Sequence, residues 1–223
     1  MTHSYEARLA EMISTRLCHD LTGPIGALSN GAEFLADEDF TMQGQAVELI
    51  SQSAEQAVNR LQFYRSAYGR INHQGEAILS DIKRLIVKFF QGSKISLDWP
   101  DSLTDALDIP VSRKLGRLLQ NMVMIASSVL IRGGIISIRI QQQDNQKILA
   151  VSASGLAIKW DPEHQQVLEG SIGIEQVQPA TVQLYYTLKL AEELNTDLSV
   201  TVDENSFELL ALKTEEVPVV APE

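Results

Sequence analysis

A single cysteine, Cys18, excludes any disulfide within the chain. Basic residues are too few for a nucleic-acid partner: Lys and Arg number 18 against 29 Asp and Glu. The resulting net charge of −11 runs against phosphate backbones and anionic bilayers alike. No long hydrophobic run is present. The longest, Met122 to Ile131, contains Ser127 and Ser128 and is too short to span a bilayer. The N-terminal stretch Met1-Thr2-His3-Ser4-Tyr5-Glu6 has no apolar core of the signal-peptide kind. Histidines are scarce too. His3, His19, His73 and His164 show no metal-ligand spacing. Cys18, His19 and Asp20 are consecutive, so on a helix they point in different directions. These absences lead us to expect a cytoplasmic protein that binds neither nucleic acid nor membrane, with 223 residues for one large domain or two small ones.

What is present begins with a long amphipathic helix, expected from about Tyr5 to Ala36. Ile13, Leu17, Leu21, Pro24, Leu28, Ala32 and Leu35 recur at steps of three and four and define one apolar stripe. At roughly 100° per residue, His19 lies about 180° from the middle of that stripe. It therefore faces water. Pro24 has no N–H to bond the carbonyl of Asp20, so the helix should kink or loosen there. Gly23 adds freedom. The His19 face continues through Thr22, Gly26, Ser29, Asn30 and Glu33, mostly small residues that let a partner approach or pack in an ordinary hairpin.

After the polar connection 37–41, Ala46, Ile50, Ala54, Ala57, Leu61, Tyr64 and Tyr68 mark a second helix. The two helices form an antiparallel hairpin. Burying one large apolar side chain is worth roughly 1.5–3 kcal/mol before ordering costs, so a lone hairpin has too little core. Either a second copy completes a four-helix bundle, with Leu17, Leu28, Leu35 and Leu61 buried, or the hairpin packs on the rest of its own chain.

Ile71-Asn72-His73-Gln74-Gly75 reads as a linker. Beyond it the pattern turns to mixed α and β. Ile78, Leu79, Ile82, Leu85, Ile86, Phe89 and Phe90 mark a helix ending near Gly92. Lys94 to Trp99 reads as a strand. Leu115 to Val129 is a helix stopped by Gly133-Gly134. Ile135 to Ile140 and Ile148 to Ser152 are strands, Thr181 to Leu194 a helix, and Leu198 to Val202 and Phe207 to Leu212 a closing hairpin. An acidic tail, 214–223, reads as disordered. The expected fold is α+β: a helical hairpin over 1–72 forming a dimeric four-helix bundle, then an α/β sandwich over 76–213.

The run Arg16-Leu17-Cys18-His19-Asp20-Leu21, with Gly23-Pro24-Ile25-Gly26-Ala27 and Asn30-Gly31-Ala32-Glu33, resembles the alphaproteobacterial ChpT family of histidine phosphotransferases. The order of elements resembles a sensor histidine kinase core. The resemblance implies that His19 carries a phosphoryl group between receiver-domain aspartates. It implies partners in the receivers of a hybrid histidine kinase and of response regulators, with Mg²⁺ and a lysine supplied by the receiver. It also implies a kinase-like second domain without nucleotide. The residues agree on that last point. Within Leu118 to Ala126, Asn121 remains, but Ile125 stands where a kinase asparagine holds the metal, and Mg²⁺ requires oxygen ligands. The adenine-reading Asp-x-Gly-x-Gly is replaced by Ala153-Ser154-Gly155-Leu156-Ala157. Val177-Gln178-Pro179-Ala180-Thr181-Val182-Gln183 stands where the glycine-rich lid should be. No bound cofactor is expected.

Neutral imidazole has one free lone pair and is a competent nucleophile near neutral pH. Asp20 either holds its N–H and selects the nucleophilic tautomer or is a solvated helix carboxylate. Arg16, three residues before His19, either steadies phosphoryl oxygens or is a surface arginine. Thr22, Gly23, Gly26, Ser29, Asn30 and Glu33 are the expected partner-binding residues. The α/β domain is expected to add a second docking surface for the receiver. Two other functions remain open: a non-catalytic adaptor or kinase inhibitor using the same bundle, and an active ATP-dependent histidine kinase, against which the degraded motifs speak.

Overall fold

The computed structural model describes residues 2–36, 43–69, 76–100, 110–143 and 146–214. The expected connection at 37–41, the linker at 71–75 and most of the acidic tail lie outside them. Two long helices come first, α1 (Thr2–Ala36) and α2 (Gln43–Tyr68). Helix α1 continues unbroken through Pro24. The hairpin closes tightly where Gly31 meets α2. A Cβ at that position would lie 2.7 Å from Ile50 Cγ1, so a side chain there would require Ile50 or the helix pair to shift.

The α/β part follows as β1 (Glu76–Ile78), α3 (Leu79–Phe90), β2 (Ile95–Asp98), β3 (Pro110–Ser112), α4 (Arg113–Ser128), β4 (Gly134–Gln143), β5 (Gln146–Ser154), α5 (Pro162–Leu168), α6 (Val182–Glu193), β6 (Thr196–Val202) and β7 (Ser206–Thr214). The main sheet has the order β2-β4-β5-β7-β6. Only the β2–β4 pair is parallel. Alternation decides which face is covered. Ile136, Ile138, Leu149, Val151, Phe207 and Leu209 are buried, whereas Ile135 on the other face is exposed. This is the expected α/β sandwich.

Four details differ from the sequence reading. Ile78 is not in the helix but ends β1, where it pairs with Pro110 of β3. That two-stranded sheet joins positions more than thirty residues apart, and no local pattern announces it. Helix α5 is also absent from the periodicity, being only seven residues long; it opens with Pro162 behind a capping box between Asp161 and His164. Thr214, read as the first residue of the tail, pairs with Gln146 at the end of β7.

The glycine pair after α4 behaves as expected. Gly133 has φ +84°, and a Cβ there would lie 2.3 Å from the Lys94 carbonyl oxygen. That close approach lets the Gly134 N–H donate to the same carbonyl at 3.2 Å and start the β2–β4 pairing. We expect Gly133→Ala to destabilise the chain by about 1–3 kcal/mol, from the left-handed backbone and the displaced strand together. Urea unfolding measures this; an unchanged midpoint would contradict it.

The hairpin and the sandwich share one continuous core. Met12 of α1 and Phe63, Tyr64 and Ala67 of α2 belong to the same buried cluster as Ile82, Leu118 and Val151. Only the C-terminal half of α2 is covered in this way. Ile25, Phe34 and Leu35 of α1 and Val47, Val58 and Leu61 of α2 are exposed. Among the described residues no helix is long and apolar enough to cross a membrane.

Candidate functional site

His19 sits midway along α1 on the face away from the core, with 87% of its side chain exposed. The wheel position read from the sequence and the exposure in the structure agree. Its Nδ1 lies 3.3 Å from Asp20 Oδ1. An ionised carboxylate only accepts hydrogen bonds, so this contact requires a proton on Nδ1 and leaves the lone pair on Nε2.

Asp20 is not an ordinary solvated carboxylate. Its side chain is about three-quarters buried, and its Oδ2 accepts a hydrogen bond from the Tyr64 hydroxyl at 2.9 Å. Arg60 Nη1 donates to the Asp20 main-chain oxygen at 2.7 Å. That carbonyl is the one deprived of its helical partner by Pro24. Burial and the neighbouring Asp20 carboxylate push the Tyr64 hydroxyl far above the ordinary phenol range, so it stays protonated and donates.

Arg16 leans inward rather than out to solvent. Its Nε lies 3.9 Å from Asp20 Oδ2, and only about a fifth of its side chain is exposed. The cation also lowers the cost of ionising the Tyr68 hydroxyl, which burial otherwise pushes well up. Thr22, Gly23, Gly26, Ser29, Asn30 and Glu33 are all exposed along α1. A Cβ at Gly23 or Gly26 would meet nothing within 4 Å, so no contact inside the chain requires glycine there.

Sequence reasoning missed two residues of this site. Helical spacing places Tyr64 in an apolar stripe, and nothing in the local pattern singles out Arg60. A signal for the second did exist: Pro24 orphans the Asp20 carbonyl, and a carbonyl without its helical donor calls for another. The donor lies forty residues away in sequence, on α2.

The nucleotide-site positions lie elsewhere. Asn121 is fully buried on α4. Its Nδ2 donates to the carbonyls of Ala67, at 3.2 Å, and Arg117, at 2.7 Å, and its Oδ1 accepts from Gln183 Nε2 at 2.5 Å. Gln183 Oε1 in turn accepts from the Tyr68 hydroxyl. The asparagine thus joins α2 to α4 and α6. Ile125 and Ala153 are buried in the core. Among the described residues no group of three or more His, Cys, Asp or Glu side chains could hold a metal ion.

An exposed histidine backed by a largely buried aspartate, on a long hairpin seated on an α/β sandwich, is an arrangement suited to a histidine phosphotransferase. A family model described as the histidine phosphotransferase C-terminal domain matches residues 79–206, more than half of the chain. The chain is also 30% identical over 197 residues to protein phosphotransferase ChpT of Brucella abortus (strain 2308), across 86% of this chain and 89% of that protein. It superposes on a solved bacterial phosphotransferase with a TM-score of 0.76 and 28% identity, covering 91% of this chain and 95% of that one. The chain belongs to the ChpT family of phosphorelay histidine phosphotransferases.

Proposed function

We propose that this chain shuttles a phosphoryl group between receiver-domain aspartates through His19, without ATP, and does so in the cytoplasm. The observation that carries the reading is an almost fully exposed imidazole held at Nδ1 by a carboxylate. His19 Nε2 attacks the phosphorus of a receiver's aspartyl phosphate in line. The N–P bond forms as the P–O bond breaks, and the receiver's carboxylate leaves with the electron pair. Asp20 balances the positive charge that develops on the ring and can take the Nδ1 proton. Return of the phosphoryl group to a second receiver retraces the same steps. Such transfer depends mainly on positioning and charge stabilisation. The Mg²⁺ and a lysine come from the receiver.

The partners are receivers of a hybrid histidine kinase and of response regulators. The open face through Thr22, Gly23, Gly26, Ser29, Asn30 and Glu33 suits close approach of a receiver helix. The groove between α2 and the end of α3, with Arg60, Lys88 and Gln91 on its walls, suits a second contact from the α/β domain. Independence from ATP is supported by the engagement of Asn121 within the chain and by the buried alkyl side chain of Ile125. Incubation with a receiver phosphorylated on its aspartate tests the reading. Acid-labile, base-stable label is expected on His19; stable binding without label would overturn transfer and leave an adaptor.

A second copy covers the exposed apolar side chains of the hairpin. Leu21, Ile25, Leu28, Ala32 and Leu35 on α1, and Val47, Ala54, Val58 and Leu61 on α2, follow the three–four spacing of a bundle seam. Leu61 is 53% exposed and Val58 49% in the single chain, which leaves both available to a partner. The chain should sediment as a dimer at micromolar concentration, and the paired change Val58→Glu with Leu61→Glu should make it a folded monomer. A monomeric unmodified chain would refute the bundle.

A further inference from the structure

We propose that Tyr64, assisted by Arg60, is a positioning residue of the phosphoacceptor: it anchors Asp20 so that Asp20 holds the Nδ1–H of His19 and Nε2 remains the nucleophile. The inference deepens the phosphoacceptor reading and rests on it for its kinetic consequence.

Neighbouring residues on a helix project roughly 100° apart, so their side chains do not ordinarily face one another. His19 points to solvent and Asp20 toward α2. Their contact therefore requires Asp20 to be held in one rotamer. The structure supplies the means on the inner side. Tyr64 occupies Oδ2 from α2, and Arg16 adds its positive charge near the same oxygen. Oδ1 is then the oxygen presented to the imidazole. The main chain is fixed as well, because Arg60 takes the Asp20 carbonyl that Pro24 leaves without a helical donor.

The two anchors are themselves seated on the α/β domain. The Arg60 guanidinium lies 5.9 Å from the Phe89 ring centroid, and the Tyr64 ring meets Phe89 edge-on at 5.7 Å. Phe89 belongs to α3 and stacks on Phe63 at 4.2 Å. The geometry of an exposed histidine is thereby set by an aromatic cluster between hairpin and sandwich, with Phe63 and Tyr64 buried and Phe89 partly so.

The tautomer gives this anchor its chemical value. In water the neutral histidine side chain favours the proton on Nε2, where it blocks the accessible nitrogen. An acceptor fixed at Nδ1 reverses that preference. A carboxylate free to turn away would do so only part of the time. The Tyr64 hydroxyl cannot itself reach the reacting phosphorus through this geometry, since it is buried and bonded to Oδ2.

The test uses the full-length chain with Tyr64→Phe, which keeps the ring and removes one hydroxyl. Long-range proton–nitrogen NMR reads the His19 tautomer. Single-turnover labelling over a range of phosphorylated receiver concentrations separates kcat from KM. The expected result is a shift of the proton from Nδ1 toward Nε2, with kcat reduced about tenfold and KM unchanged, the scale of one well-placed hydrogen bond. Asp20→Asn should shift the same tautomer, and adding Tyr64→Phe to it should cause little further loss. An unchanged tautomer in folded Tyr64→Phe overturns the proposal, and so do losses that multiply in the double variant. If Tyr64→Phe fails to fold, Arg60→Gln must show the tautomer shift, and its failure to do so also overturns the clamp. The NMR measurement does not require phosphate transfer. Absence of label on the unmodified chain would therefore count against the phosphoacceptor reading alone.

Discussion

His19→Ala should abolish phosphoryl acceptance and leave the fold intact. Among the described residues the imidazole makes one hydrogen bond, to Asp20, and 87% of its side chain is exposed. Its truncation opens no cavity, so the stability change should stay within about 0.5 kcal/mol. The chemical change is complete, because alanine offers no lone pair for the phosphorus. His164 is a poor substitute. Its ring lies against Trp160 at 5.0 Å between centroids, its Nδ1 accepts the Asp161 N–H in the α5 cap, and burial lowers its pKa. Radiolabel transfer from a phosphorylated receiver, with a thermal melt alongside, checks both halves. Label retained at another histidine, or a variant that unfolds, would end the assignment of His19.

The second large effect is expected at Asn121. Asn121→Asp keeps the size of the side chain and replaces two donated hydrogens with an acceptor. The new oxygens would face the carbonyls of Ala67 and Arg117 in a fully buried place. An uncompensated buried charge of this kind costs about 3–5 kcal/mol. The deficit should grow as pH rises, because the unfolded chain ionises freely while the folded one resists it. The hairpin should loosen from the sandwich first, since Asn121 and Gln183 sit where α2 meets α4 and α6. Urea unfolding across a pH series tests this. A variant as stable as the unmodified chain, at every pH, would show that the buried amide network does not hold the joint.

Nearby, the same joint carries polar contacts that a simple core would lack. Ser66 Oγ donates to Gln120 Oε1 at 2.8 Å, and Arg117 donates to the Gly69 carbonyl. Such contacts require particular partners, whereas apolar packing tolerates many. The end of α2 is therefore registered on α4 by hydrogen bonds as well as by Phe63 and Ala67.

Much of this was legible in the amino-acid order because it is local. The three–four spacing from Ile13 to Leu35 set the buried side of α1, and with it the exposure of His19. The strand alternation from Ile135 to Ile140 set which face of the sheet is covered, and Gly133 marked a backbone turn that other residues resist. Even the missing N–H of Pro24 announced that the Asp20 carbonyl lacked its helical partner. The identity of that partner was beyond local reasoning. Arg60 reaches the Asp20 carbonyl across forty residues, and Tyr64 reaches its carboxylate across forty-four. Helical periodicity placed Tyr64 on an apolar face, and it is indeed buried, but periodicity says nothing of where a hydroxyl points once two helices pack. The tertiary structure also decided the fate of Asn121. The sequence showed only that this asparagine remains in a degraded motif, and packing of α2 against α4 turned its amide to the chain's own carbonyls. The sequence by itself determined the long helices, the main-sheet strands, their buried faces and the exposed histidine, since periodicity and backbone chemistry act over a few residues. Only the folded chain decided what lies beneath that histidine, because hydrogen-bond partners far apart in sequence are chosen by how whole helices meet.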